Sequence, residues 1–204
     1  MTKKEEWLAG TRSAVPIMLG YVPVGIAYGV MARQAGLNTW QTVLMSLTVY
    51  GGASEMMAAG MVAQGAAVLT IVLTTFILNL RHIIMSTCVF NQMQGGRLPV
   101  RMLAAFGVTD ETFAVYTTTA NAPRTPRYFF SMALCSYLSW ALGSWLGAIA
   151  TGLLPPLITA ALGISLYAMF IGLLMPGLHG NGRLAALVVL TALCNTVLCN
   201  VVQL

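Results

Sequence analysis

An all-α, polytopic membrane bundle of about six or seven segments is the fold class this sequence predicts, on three observations. Of its 204 residues, 58% are hydrophobic and only 7% charged; a soluble domain carries about 25% charged residues, so a water-facing surface cannot be built here. Runs free of Asp, Glu, Lys and Arg cover Ser13–Ala32, Gln34–Ser54, Met56–Leu80 and Leu184–Leu204. Each supplies the roughly 20 residues of one helical crossing. Tyr128–Gly182 adds 55 uncharged residues, enough for two crossings and a turn.

The first segment, Ala14–Met31, follows a charged tail over residues 1–13, expected on the cytoplasmic side. Its apolar run passes through Pro16 and Pro23 into further segments without a small-residue cleavage site, so it does not read as a cleaved signal. Pro23 is expected to kink it. Turn chemistry then separates the others: Thr42–Val62 after "QAGLN", Gly65–Phe90 after "AQG", and Met102–Thr119 after "NQMQGGRLP". This fourth segment is interrupted by "TDE" and is expected either to span or to enter the membrane only partway. Tyr128–Ala150 follows "NAPRTPR", Leu153–Met175 begins in "TGLLPP", and Leu184–Val202 follows "GLHGNGR". The whole reads as one integral membrane transport domain, 1–204.

With seven spans and the amino terminus inside, Lys3, Lys4, Arg12, Arg124, Arg127 and Arg183 lie on the inner side, and Arg33, Arg97 and Arg101 on the outer. Six against three favours that orientation. A re-entrant fourth segment would instead gather Arg97, Arg101, Arg124 and Arg127 on one side. A shift of 116 residues superposes Tyr21 on Tyr137, Gly36 on Gly152, Leu37 on Leu153, Thr75 on Thr191 and Asn79 on Asn195. That register is compatible with an internal repeat, common in transporters.

Composition also excludes. The net charge of +5 is spread over loops and makes no patch for nucleic acid. Cys88, Cys135, Cys194 and Cys199 lie in apolar surroundings without metal-ligand spacing, and read as small buried hydrophobes. No nucleophile–base set, phosphate loop, metal site or cofactor motif is present, so an enzyme is not expected.

The chemistry sits in the few charges left inside apolar sequence. Arg81 opens "RH" within "TTFILNLRHIIMSTCVF". An arginine at helix centre costs about 2.5–3.5 kcal/mol on insertion scales, so it needs a partner or water. It is either a snorkelling or structurally paired cation, or a clamp for a substrate carboxylate. His82, about 100° further round the helix, is equally a packing histidine or a proton carrier. The acids available are Glu55, Asp110 and Glu111. Glu55 ends "YGGASE", where Gly51, Gly52 and Ser54 point either to close helix packing or to a helix broken to expose its backbone. Glu55 itself is expected to pair with Arg81, bind an ammonium group or carry a proton. Asp110 and Glu111 lie in "AFGVTDETFAVY" and diverge on a helix; "TDETF" also reads as a plain helix start. Gly25 with Gly29, and Gly143 with Gly147, are spaced as packing faces. Trp140 reads as core.

The stretches "GYVPVGIAYG", "YGGASEM", "NLRHIIMS", "AFGVTDETFA", "SYLSWALGSWLGA" and "ALGISLYAMFIGLL" together resemble the AzlC family, the large subunit of branched-chain amino acid exporters. They run in family order from about Pro16 to Leu174. The resemblance implies a multi-pass permease of the bacterial inner membrane that exports valine, leucine, isoleucine and, in some members, methionine. It also implies a small hydrophobic AzlD-like partner subunit and leaves room for an oligomer. Glu55 stands where the family favours Gln, and many relatives carry more apolar sequence after the seventh segment. A zwitterionic substrate needs a cation, an acceptor and an apolar pocket. Arg81 is the candidate cation and Glu55 or Asp110 the acceptor, with Gly51, Gly52, Ser54, Tyr21 and Asn79 around them. Glu55, Asp110, Glu111 and His82 are the candidates for coupling to an ion gradient, protons first. A channel-like or scaffold subunit, its charges serving as structural ion pairs, is the competing expectation.

Overall fold

The computed structural model describes residues 2–119, 122–153 and 182–202, with single residues at 155, 161, 164, 171, 175 and 178. The described residues form helices and their connections, with no strand among them. The chain divides into two compact units, Met1–Leu166 and Tyr167–Leu204. The expected segment Leu153–Met175 lies largely outside the described residues.

The first unit contains α1 (Lys3–Gln34), α2 (Thr39–Thr48), α3 (Gly52–Ala63), α4 (Val68–Asn79), α5 (Arg81–Gln92), α6 (Leu98–Phe106), α7 (Asp110–Thr118) and α8 (Pro126–Ala150). The second contains α9 (Gly182–Val202), an apolar helix with Leu187, Leu190 and Leu193 exposed. Among the described residues three helical stretches are long and apolar enough to cross a membrane: Lys3–Gln34, Val68–Gln92 and Pro126–Ala150. Thr2 and Glu5 close a capping box on α1, and Thr125 caps α8 ahead of Pro126.

α1 and α8 run parallel, side by side. Gly10 faces Tyr128 and Ser131, Gly25 faces Trp140 and Ser144, and Gly29 faces Ser144 and Ala148. A Cβ on Gly25 would stand 3.0 Å from the Trp140 carbonyl oxygen, and one on Gly143 would stand 2.7 Å from that of Val22. The expected glycine faces therefore meet each other, and backbone approaches backbone because neither helix has side chains in the way.

The expected single span Thr42–Val62 is two half-helices. α2 starts at an Asn38–Gln41 capping box beside the end of α1. It then descends: the Tyr28 hydroxyl donates to the Thr42 carbonyl, Ser46 meets Ser144, and the Tyr137 hydroxyl donates to the Leu47 carbonyl. The chain reverses at Tyr50, whose φ of 46° is unusual for a bulky residue. α3 climbs back, with Gly52 under the Trp140 ring and Glu55 returned to the level of Ser46. It leads into α4, which begins at the face where α2 entered. α4 and α5 make one crossing with a turn at Leu80. α4 has no fully buried residue, and Leu69, Val72, Phe76 and Ile77 are exposed, as on a lipid-facing helix.

The fourth segment enters partway, from the opposite face. Gln94, after α5, donates its backbone N–H to the Arg124 carbonyl at 2.6 Å. A cavity of about 550 Å³ is lined by Trp7, Gln94, Leu103, Thr125 and Phe130. The end of α5, the start of α6 and the starts of α1 and α8 thus share one face. α6 rises from there to Gly107. α7 begins at a Thr109–Thr112 capping box and returns, placing Tyr116 against Tyr128 and Phe129 and under the Arg124 guanidinium. Each half has nine residues, about 14 Å of helix and too short to cross. In this unit Lys3, Lys4, Arg12, Arg97, Arg101, Arg124 and Arg127 gather toward the amino-terminal face, against Arg33 on the other.

These elements repeat. Val68–Gln92 and Pro126–Ala150 are both 25 residues long and start 58 residues apart, at 68 and 126. The hairpin motifs Tyr50–Gly51–x3–Glu55 and Phe106–Gly107–x3–Glu111 sit 56 apart, at 50 and 106. The unit is therefore a crossing helix followed by a re-entrant hairpin, and successive units point in opposite directions. The 116-residue register spans two such units and brings α1 onto α8, which is why those helices are parallel.

Candidate functional site

The two hairpin tips meet inside the bundle. Tyr50, at the first tip, stacks on Phe106, at the second, with ring centroids 6.0 Å apart and planes at 30°. Tyr137 of α8 stands edge-on to both, at 4.9 and 5.6 Å. Tyr21 of α1 is edge-on to Tyr50 at 6.5 Å and to Trp140 at 5.4 Å. Such edge-on geometry suits the ring quadrupoles, and five aromatic rings from four segments fill the meeting point. The amino ends of α3 and α7 both open here. First-turn acids suit the positive end of a helix dipole, and Glu55, Asp110 and Glu111 all occupy first turns.

Glu55 has no exposed surface. Its Oε1 accepts the Gly51 N–H at 2.9 Å and the Trp140 indole N–H at 3.2 Å, while Ser46 Oγ lies 3.0 Å from Oε2. Among the described residues its partners are all neutral, and Arg81 is not one of them. Glu111, nearly buried, receives the Tyr21 hydroxyl at 2.6 Å, and that hydroxyl also lies 2.7 Å from Thr109 Oγ1. Each tip thus offers a glutamate to an aromatic donor on a crossing helix: Trp140 for Glu55, Tyr21 for Glu111.

Arg81 opens α5 at the Leu80 turn and forms an ion pair with Asp110 at 2.8 Å, both side chains partly exposed. The pair fastens the second hairpin to the α4–α5 crossing. His82 lies half-buried beside it. Asn79 holds its amide against Gly51. Its Oδ1 and Thr75 Oγ1 are buried without a partner among the described residues, one turn apart on the same face of α4. Buried polar atoms are rarely left unpaired, so this face of the break can receive a polar ligand group. Ser54 turns its hydroxyl onto the Gly51 carbonyl at 2.8 Å, and a Cβ on Gly52 would press the Trp140 ring at 2.9 Å.

Gly51, Gly52, Ser54, Glu55, Tyr21 and Asn79 therefore surround the first tip, and Asp110, Glu111, Arg81 and His82 the second. The broken-helix reading of "GGAS" and the helix-start reading of "TDETF" both describe the structure. Ser46, Thr109, Tyr137 and the indole of Trp140 belong to the site but were not candidates. A signal for Trp140 exists in principle, since a buried indole N–H needs an acceptor. The Y-G-x3-E and F-G-x3-E echo is a second signal.

The family model for the AzlC protein matches residues 16–154. A membrane protein of Archaeoglobus fulgidus is 33% identical over 188 residues, covering 91% of this chain and 82% of that protein. The inner membrane protein YgaZ of Escherichia coli is 30% identical over 179 residues, 83% of this chain and 72% of the relative. The branched-chain amino acid transport protein AzlC of Bacillus subtilis is 27% identical over 157 residues, 73% of this chain; the match spans 61% of that protein's length. No solved structure matches the chain.

Proposed function

Since this chain belongs to the AzlC family, we propose that it is a secondary-transport permease subunit exporting branched-chain amino acids (valine, leucine, isoleucine), with methionine as a further candidate substrate. The observation that carries this reading is the pair of oppositely inserted hairpins whose tips, with their buried acids, meet inside the bundle. Broken helices at the membrane midplane are how transporters present backbone groups to a zwitterion. The similarity to a branched-chain amino acid transport protein supplies the substrate class.

The substrate is taken to lodge at the first tip among Gly51, Gly52, Ser54, Tyr21 and Asn79. Arg81 draws its carboxylate and Asp110 or Glu55 its ammonium, with Glu55, Glu111 and His82 serving the coupling ion. Movement of the hairpins, one from each face, gives alternating access. The excess of basic residues toward the amino-terminal face supports an inside amino terminus, with residues 1–13 in the cytoplasm and the protein in the bacterial inner membrane. A small AzlD-like subunit is proposed as partner, alongside lipid, on the exposed apolar face of α4.

Efflux of individual labelled amino acids from cells expressing this chain, with and without such a subunit, is the test. Accelerated loss of valine, leucine and isoleucine but not of lysine or glutamate is expected. Rates equal to those of cells lacking the chain, in both settings and at normal protein level, would exclude the reading.

A further inference from the structure

Three short oxygen–oxygen contacts run in series from Glu55. Oε2 lies 3.0 Å from Ser46 Oγ, which lies 2.8 Å from Ser144 Oγ, which lies 2.9 Å from the Trp140 carbonyl oxygen. Distances of this size suit oxygen–oxygen hydrogen bonds, each of which needs one hydrogen between its two atoms. A carbonyl brings none and each serine brings one, so two hydroxyl hydrogens serve three contacts. All three are satisfied at once only with a third hydrogen on Glu55; an ionised acid leaves the Ser144–Trp140 contact without one. Around it, Oε1 takes the Gly51 N–H, and the Trp140 indole N–H is shared between Oε1 at 3.2 Å and Oε2 at 3.3 Å.

We infer that Glu55 is a proton-binding site, loaded in this closed arrangement, and that the Ser46–Ser144 hydroxyl chain reverses when the proton leaves. In the loaded state Glu55 O–H donates to Ser46, Ser46 to Ser144, and Ser144 to the Trp140 carbonyl. On release the O–H bond at Oε2 breaks and the proton passes to water entering as the first tip opens. Ser46 then turns its hydrogen to Oε2, Ser144 turns to Ser46, and the Trp140 carbonyl keeps only its helix bond. Every serine stays paired in both states, so the chain accommodates either form of the acid without moving a helix.

The groups that face Glu55 are compatible with a neutral acid. Tyr28 faces it from α1, Tyr50 from the tip, Tyr137 and Trp140 from α8, while the Tyr21 hydroxyl is on Glu111. From the α4 side Asn79 lies against Gly51, whose N–H Glu55 accepts. Among the described residues none of these is a cation, and Arg81 is engaged with Asp110. With no surface open to solvent, the site exchanges its proton only when the tip moves, which is what links a proton to a transport cycle. Its role as the coupling site rests on the function proposed above; the presence of the proton does not.

Infrared difference spectroscopy of the purified chain in lipid, between acid and alkaline buffer, reads the proton without substrate. A protonated-carboxyl stretching band is expected that disappears in Glu55→Gln and shifts in Ser46→Ala, a mild change that keeps the fold. A spectrum unaltered by both variants would overturn the inference. In liposomes, a gradient of one pH unit should drive about tenfold valine accumulation with one proton per substrate, and Glu55→Gln should lose it. Accumulation by Glu55→Gln equal to wild type would also overturn the inference. A Glu55-dependent band in a protein that moves no valine would support the proton site and overturn the transport reading alone.

Discussion

Trp140→Ala is expected to cost about 3–5 kcal/mol of stability, the range for truncating a buried tryptophan, and to abolish transport. Trp140 is 2% exposed, stacks on Tyr28 with centroids 6.1 Å apart, and has Gly52 beneath its ring. Its loss empties the space that positions the first tip and removes an N–H from Glu55. Trp140→Phe separates the two effects: it keeps a ring and deletes the donor, for about 1 kcal/mol. Thermal unfolding in detergent should rank wild type above Phe and Phe above Ala. A Phe variant as stable as wild type would show that the indole N–H does not hold the acid.

Arg81→Ala should lower valine efflux about 10²-fold, the scale at which a misplaced substrate loses rate, because it unfastens the second hairpin and strands Asp110. The two readings of Arg81 then part company. As a structural brace it is replaceable by an inverted pair, and Arg81→Asp with Asp110→Arg should restore efflux, as the scaffold expectation requires. As the carboxylate clamp it is not, and the double variant should stay inactive with normal protein level. The measurement is initial efflux rate normalised to membrane protein.

Much of this architecture was legible in composition and turn chemistry: the expected segments Gly65–Phe90 and Tyr128–Ala150 lie within about three residues of the crossings Val68–Gln92 and Pro126–Ala150, while α1 reaches back through the charged tail to Lys3. The hairpins were legible only as one of two readings each, at "TDE" and at "GGAS", because an apolar run such as Gln34–Ser54 has the length and hydropathy of a span whether it continues or turns back. What decides is Tyr50, which accepts a left-handed backbone because Tyr21, Tyr137 and Phe106 hold its ring. Three of those contacts are remote in sequence. For the same reason Arg81 could be assigned an acid partner only as one of three, since spacing along the chain does not say which face each hairpin enters. Glu55 was conspicuous as an acid in apolar sequence. Its serines were not, because a serine in a membrane helix ordinarily bonds its own preceding turn, as Ser136 does with Met132.

The contact between Glu55 and Trp140 joins residues 85 positions apart, and this sets an order of birth. At about 5–20 residues per second, roughly 4–17 s of synthesis separate the appearance of the acid from that of its donor. Until α8 is inserted, the first hairpin lacks Trp140, Tyr137 and Ser144, and its reversed backbone has no wall to rest on. Insertion of the fifth segment is therefore the committing event of assembly. In a chain whose native cysteines are replaced by alanine, arrest before Pro126 should leave Ser54→Cys, at a position buried in the finished fold, reactive to a water-soluble thiol reagent. One arrested well beyond Ala150, with α8 clear of the ribosome and translocon, should protect it. Equal labelling of the two would show that the hairpin forms by itself.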